Sequence, residues 1–147
     1  MTQERETLTA AEQRNLQRVK DWAEAWRLPG GSASRMVDEI YADEPEVVAM
    51  LQGHRVSGSG NFKSAWREAE LKIEAVYAER EIIFGPMLAS GNSVAFEGEV
   101  RMLTKDGERR GWHFAVFMVF DEKGRIVSDH TYMPDSPHGD LFERAAG

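Results

Sequence analysis

The chain contains no cysteine. Disulfide staples, thiolate nucleophiles, zinc–thiolate centres and iron–sulfur clusters are thereby excluded. Basic residues are in the minority, 18 against 25 acidic, for a formal net charge of −7. A clustered Lys/Arg face for neutralising phosphates is not expected, and neither is a nucleic-acid partner. No apolar run approaches the roughly 20 residues of a membrane span. The polar start Met1-Thr2-Gln3-Glu4-Arg5-Glu6 has no signal-peptide core behind it. A cytoplasmic protein without a membrane partner is the expectation. The sequence also lacks a P-loop, a dinucleotide fingerprint and a G-x-S-x-G nucleophile elbow, and Gly58-Ser59-Gly60 has no strand–glycine–helix context. The four histidines, His54, His113, His130 and His138, are never spaced i, i+2 or i, i+4. Neither a metal nor a cofactor is expected from such a pattern.

What is present suits one domain. Of 147 residues 41% are hydrophobic, enough for a single core without staples. There are no repeats and no interior linker. The expected core runs over about 8–135, with a loose tail at 136–147.

The first half reads as helical. Thr7 or Thr9 can cap a helix, with Glu12 three residues after Thr9. Leu16, Val19, Trp22, Ala23 and Trp26 then form one stripe, and Pro29-Gly30-Gly31 stops it. Ser32 or Ser34 begins a second helix carrying Met36, Val37, Ile40 and Tyr41, with Asp43-Glu44-Pro45 as its terminator. Val47–Leu51 is a short buried strand. Gly53, Gly58 and Gly60 mark a mobile loop carrying His54. A third helix starts at about Asn61. Four strands follow, over 78–84, 93–103, 111–120 and 125–132, separated by Asn92, Lys105-Asp106-Gly107 and Glu122-Lys123-Gly124. The order predicts an α+β fold with helices packed on one face of a curved, mainly antiparallel sheet.

Several residues have chemical potential. On the strand 93–103, Glu97, Glu99 and Arg101 share one face, which is either a carboxylate row with an arginine clamp inside a pocket or a polar face turned to water or a partner. The strand 111–120 is apolar on both faces, with His113 its ionisable group, so a second subunit is expected against the outer face and the expected assembly is a homodimer. On the last strand Asp129, Thr131 and Met133 share one face, while Ser128, His130 and Tyr132 share the other. An acid, an imidazole and a phenol within four residues suit general acid–base catalysis. Asp129 or His130, whichever turns inward, is the expected base, assisted by His113, Glu99 and Tyr41. Trp22, Trp26, Tyr41, Trp66, Trp112 and Phe114 are expected to wall a pocket for a small hydrophobic, ring-containing substrate or ligand, with His54 among the contacts.

The layout over about 10–135 resembles the SnoaL-like group of the nuclear transport factor 2-like (NTF2-like) superfamily. The resemblance rests on Trp22-Ala23-Glu24-Ala25-Trp26, on Ile40-Tyr41-Ala42-Asp43-Glu44 and on Gly58 ahead of the third helix. Its most specific part runs from Val119-Phe120-Asp121-Glu122-Lys123-Gly124-Arg125-Ile126-Val127 to Tyr132 and Asp135. It implies a cone-shaped α+β barrel. It also implies cofactor-free lyase, isomerase, dehydratase or hydrolase chemistry on a small hydrophobic molecule inside the cone. The alternative it leaves is a non-catalytic binding or regulatory module. The acid–base positions of ketosteroid isomerase fall on Trp22, Ala49 and Val116, so that enzyme's mechanism is not implied.

Overall fold

A computed structural model describes residues 7–51, 54–58 and 62–136. Helix α1 (Ala10–Arg27) starts where the sequence places it. Thr9 accepts from the Glu12 N–H and Glu12 accepts from the Thr9 N–H, a reciprocal capping box. Helix α2 (Ser32–Ile40) follows the left-handed Gly30 and Gly31, and helix α3 covers Phe62–Val76.

The strands are β1 (Tyr41–Leu51), β2 (His54–Gly58), β3 (Tyr77–Ser90), β4 (Ser93–Thr104), β5 (Arg109–Phe120) and β6 (Ile126–Met133). They form one sheet in the order β2-β1-β6-β5-β4-β3, parallel only at β1–β6. Three helices on a mostly antiparallel, curled and unclosed sheet make an α+β cone, as the sequence predicts.

Several boundaries differ from expectation, and the strand expected over 78–84 runs from Tyr77 to Ser90. Helix α2 ends at Ile40, and Asp43-Glu44-Pro45 lies inside β1. Proline is tolerated there because the ladder to β6 breaks register between Tyr41 and Glu46, so no pairing N–H is required of it. The glycine-marked segment expected as a mobile loop contains β2, which pairs with β1 from Val47↔Gly58 to Leu51↔His54.

Alternation sets the two faces of the sheet. Val94, Phe96, Val100 and Met102 of β4 and Trp112, Phe114, Val116, Met118 and Phe120 of β5 are buried inward against α1 and α2. At Gly98 a Cβ would come within 2.7 Å of the Phe114 ring, so only glycine lets that ring lie against β4. Helix α1 is fastened to the strand turns at its N-terminal end. Glu12, fully buried, accepts the Gly91 N–H at 2.8 Å, and Arg14 donates to the carbonyls of Asp121 and Glu122.

Candidate functional site

Register decides which polar residues enter the interior. In β5–β6, Asp129 pairs with Met118 and Thr131 with Val116, both inward positions. Asp129 therefore points into the cone and is 4% exposed. Tyr41 reaches it from the other side of the core. Its backbone is fixed where α2 ends: its N–H donates to Val37 and its carbonyl accepts from Lys63. The phenol is buried and donates to Asp129 Oδ2 at 2.5 Å, and the Thr131 hydroxyl donates to Asp129 Oδ1 at 2.6 Å.

Burial pushes the Asp129 carboxyl above its ordinary range. The hydrogen bonds from Thr131 and Tyr41 oppose that shift, as does the nearby charge of His130. Burial likewise raises the Tyr41 phenol well above its ordinary value, and the Asp129 carboxylate raises it further by its charge and as hydrogen-bond acceptor. An unpaired buried carboxylate costs several kcal/mol. Two hydroxyl donors at charge-assisted distance are what make this one tolerable.

Aromatic rings form two groups in the core, one on Tyr41 and one on Phe96. Tyr41 lies 5.1 Å from Phe62 and 6.5 Å from Trp66 between ring centroids. Trp22 meets Phe96 edge-on at 6.0 Å, and Phe96 meets Phe84 and Phe114 in the same manner. Trp22, Trp26, Tyr41, Trp112 and Phe114 belong to the buried core, and Trp66 packs against it half-buried. Trp26 is also the platform for a buried arginine. The Arg80 guanidinium stacks 4.4 Å above its ring, donates from Nε to the Trp26 carbonyl at 2.6 Å, and sits 2.7 Å from Glu70.

The other expected catalytic residues lie elsewhere. His130 pairs across β5 with Phe117, on the outer face, and its Nε2 lies 3.3 Å from Glu46. His113 and Glu99 are cross-strand partners on that same outer face. Glu99 is bound to Arg101 at 3.2 Å, and that arginine holds its carboxyl below the usual range. The carboxylate row is thus turned away from the interior. An inward Val100 and Met102 on either side of Arg101 require it, because neighbours on a regular strand point oppositely. The sheet turns His130, His113 and Glu99 to the face opposite the Asp129 side chain. The side chain of His54 and all of His138 lie outside the described residues. Thr131 is an added member of the site. Its signal is the shared face with Asp129, two residues away, which alternation displays. No three His, Asp or Glu among the described residues lie close enough to hold a metal ion.

The chain has the NTF2-like cone fold, the class to which its sequence resemblance points. An LEH-like epoxide hydrolase of M. tuberculosis superimposes with a TM-score of 0.64 at 16% identity, over 94% of this chain and 91% of that one. A provisionally assigned SnoaL-like polyketide cyclase from Jannaschia gives 0.60 at 13% identity, over 90% and 91% of the two chains. A provisionally assigned isomerase of the SnoaL-like family from Agrobacterium tumefaciens gives 0.58 at 15% identity, over 82% and 97%. No protein-family model matches the sequence, and no curated protein matches it.

Proposed function

We propose that the chain is a cofactor-independent acid–base enzyme acting on a small hydrophobic, ring-containing molecule in the aromatic interior. Asp129 is its general base and Tyr41 the hydroxyl partner of that base. The observation that carries this reading is the buried Tyr41–Asp129–Thr131 constellation, with Phe62 and Trp66 packed on the Tyr41 ring. Burial makes the carboxylate a stronger base than one in water, which suits proton abstraction near neutral pH. The proton that Asp129 takes can be returned from its carboxyl to the product or the leaving oxygen, while Tyr41 holds the carboxylate in place through its hydroxyl. Lyase, isomerase, dehydratase and hydrolase chemistry can each be run by a positioned general base. The named enzymes among the structural neighbours lend the fold-level analogy that such chemistry is housed in this cone.

A second reading is a binding module without turnover. It is favoured by one feature: both Asp129 oxygens already accept hydroxyls of the protein itself. The two separate in a turnover screen with cyclic ketones, epoxides and alcohols. An enzyme converts one of them and loses that activity in Asp129→Asn. A module binds one of them, unchanged, in both forms.

The outer face supports a homodimer in the same reading. Phe117, Tyr132, Ile83 and Leu88 all lie on it, with exposures of 47%, 47%, 37% and 74%. Apolar side chains gathered on one sheet face in this way suit a self-complementary contact.

A further inference from the structure

The two hydroxyls on Asp129 are not equivalent. Tyr41, which donates to Oδ2, is 1% exposed, whereas Thr131, which donates to Oδ1, is half-buried. The same gradient runs along both strands here. On β6 the inward row goes from buried Asp129 to half-buried Thr131 and Met133. Their β1 neighbours follow it: Val47, beside Asp129, is buried and Ala49, beside Thr131, is half-buried. Oδ1 is thus the oxygen on the open side. Protonation makes this difference matter. A carboxylate oxygen only accepts hydrogen bonds, a protonated one donates, and a hydroxyl does either. The hydroxyl facing the protonated oxygen therefore turns from donor to acceptor. If that hydroxyl were Tyr41, its proton would be left without an acceptor in a fully buried place, which is costly. The Thr131 proton can instead swing to the half-buried side, where water can accept it.

We propose that Thr131 is a positioning residue for the base: its hydroxyl marks Oδ1 as the oxygen that takes the proton, and exchanges donor for acceptor when the proton arrives. This deepens the acid–base reading and rests on it. In the step, the substrate's bond to hydrogen breaks and the electron pair stays with the substrate. The hydrogen bonds to Oδ1 in the place that the Thr131 proton vacates. Thr131 keeps its own O–H, now rotated to the open side, and its Oγ accepts from the new carboxyl. Tyr41 donates to Oδ2 throughout. The other groups packed on Asp129 leave this exchange to Thr131. Met118 of β5 and Val47 of β1, its cross-strand neighbours, carry no charge, and neither does Trp22 of α1 beside the Tyr41 oxygen. The charge that reaches the carboxyl is that of His130, which favours its ionised form whichever oxygen is protonated.

The test is a carbon-13 titration of the full chain from about pH 3 to 9, which spans the ordinary and raised aspartate ranges. It follows the aspartate carboxyls, the threonine methyls and the tyrosine ring carbons that bear oxygen. Asp129→Asn, Thr131→Val and Tyr41→Phe assign the three resonances. In the wild type the Thr131 methyl should move with the Asp129 midpoint, and the Tyr41 carbon should move much less. Thr131→Val should raise the Asp129 midpoint by about one pH unit, because a donor to the anion is worth more than a partner for the neutral acid. Thr131→Ser, which keeps the hydroxyl, should restore the wild-type midpoint. A merely structural threonine would leave that midpoint where it is. Should Thr131→Val not fold, Thr131→Ala takes its place, and the wild-type titration decides between the two oxygens in any case. A Tyr41 carbon that follows the midpoint while the Thr131 methyl does not overturns the proposal. So does an unmoved midpoint in Thr131→Val, a serine variant that behaves as the valine one, or an Asp129 without a midpoint in this range. These failures are separable from failure of the base. The expected titrations combined with full turnover in Asp129→Asn leave the Thr131 exchange and remove the base. Turnover lost in Asp129→Asn with an unmoved midpoint in Thr131→Val removes Thr131 alone.

Discussion

Removing the Tyr41 hydroxyl should destabilise the protein by an amount that grows with pH. In Tyr41→Phe the ring contacts to Phe62 and Trp66 remain, and Asp129 loses its donor at 2.5 Å while keeping Thr131. A hydrogen bond to a neutral group contributes about 0.5–1.5 kcal/mol and one to a charged group about 1.5–3 kcal/mol. The loss should therefore be about 1 kcal/mol where Asp129 is protonated and about 2–3 kcal/mol where it is ionised. The sign follows from linkage. Burial already raises the folded-state pKa of Asp129 above its unfolded value. Its contribution is thus fully present below the ordinary aspartate range and is lost as pH rises through the folded pKa. Deleting a donor to the anion raises that folded pKa again, so the variant loses further stability on the alkaline side and little on the acid side. Urea unfolding of wild type, Tyr41→Phe, Asp129→Asn and the double variant, each from about pH 3 to 9, measures this. The coupling energy between the two positions should exceed ~1 kcal/mol at the upper end. A Tyr41→Phe penalty that is flat with pH, or equal in the Asp129→Asn background, refutes the coupling.

Three further outcomes follow from the packing. Arg80→Ala should cost about 3–5 kcal/mol, because it strands the buried Glu70 and frees the Trp26 carbonyl; a urea midpoint within error of wild type contradicts it. Gly98→Ala should lower stability by about 1–3 kcal/mol by driving a Cβ into the Phe114 ring and the Ile83 carbonyl, and a thermal melt that is unchanged or raised would show that the ring can move aside. The proposed dimer should scatter light as twice the chain mass at micromolar concentration and as a single chain in Phe117→Glu; a monomeric wild type ends that assignment.

Much of the fold is visible in local chemistry. The Thr9–Glu12 box, the Pro29-Gly30-Gly31 stop and the glycine turns at Gly107 and Gly124, both at positive φ, each follow from the geometry that those residue types allow. What is not visible depends on partners distant in sequence. Strand β2, His-Arg-Val-Ser-Gly, has no period of its own and exists through its ladder to β1. Pro45 looks like a helix terminator and is instead accommodated by a register break against β6. Likewise the Gly85-Pro86 step sits inside β3, at the shift between Phe84 and Met87. The site shows the same division. Alternation puts Asp129 and His130 on opposite faces, but the choice of face is made by pairing with Met118 and Phe117. The bond from Tyr41 to Asp129 joins residues 88 positions apart, and no local pattern announces it.

The central claim is that inward Asp129, and not outward His130, carries the chemistry. It is tested most directly by kcat/KM of Asp129→Asn and His130→Ala, side by side, on whichever cyclic ketone, epoxide or alcohol the wild type converts. A positioned base contributes about 10²–10⁴-fold. Asp129→Asn should lose that factor, while His130→Ala, whose ring meets Glu46 on the outer face, should stay within a few-fold of wild type. An Asp129→Asn variant that retains activity within a few-fold, or a His130→Ala variant that loses it by a hundredfold, contradicts the account.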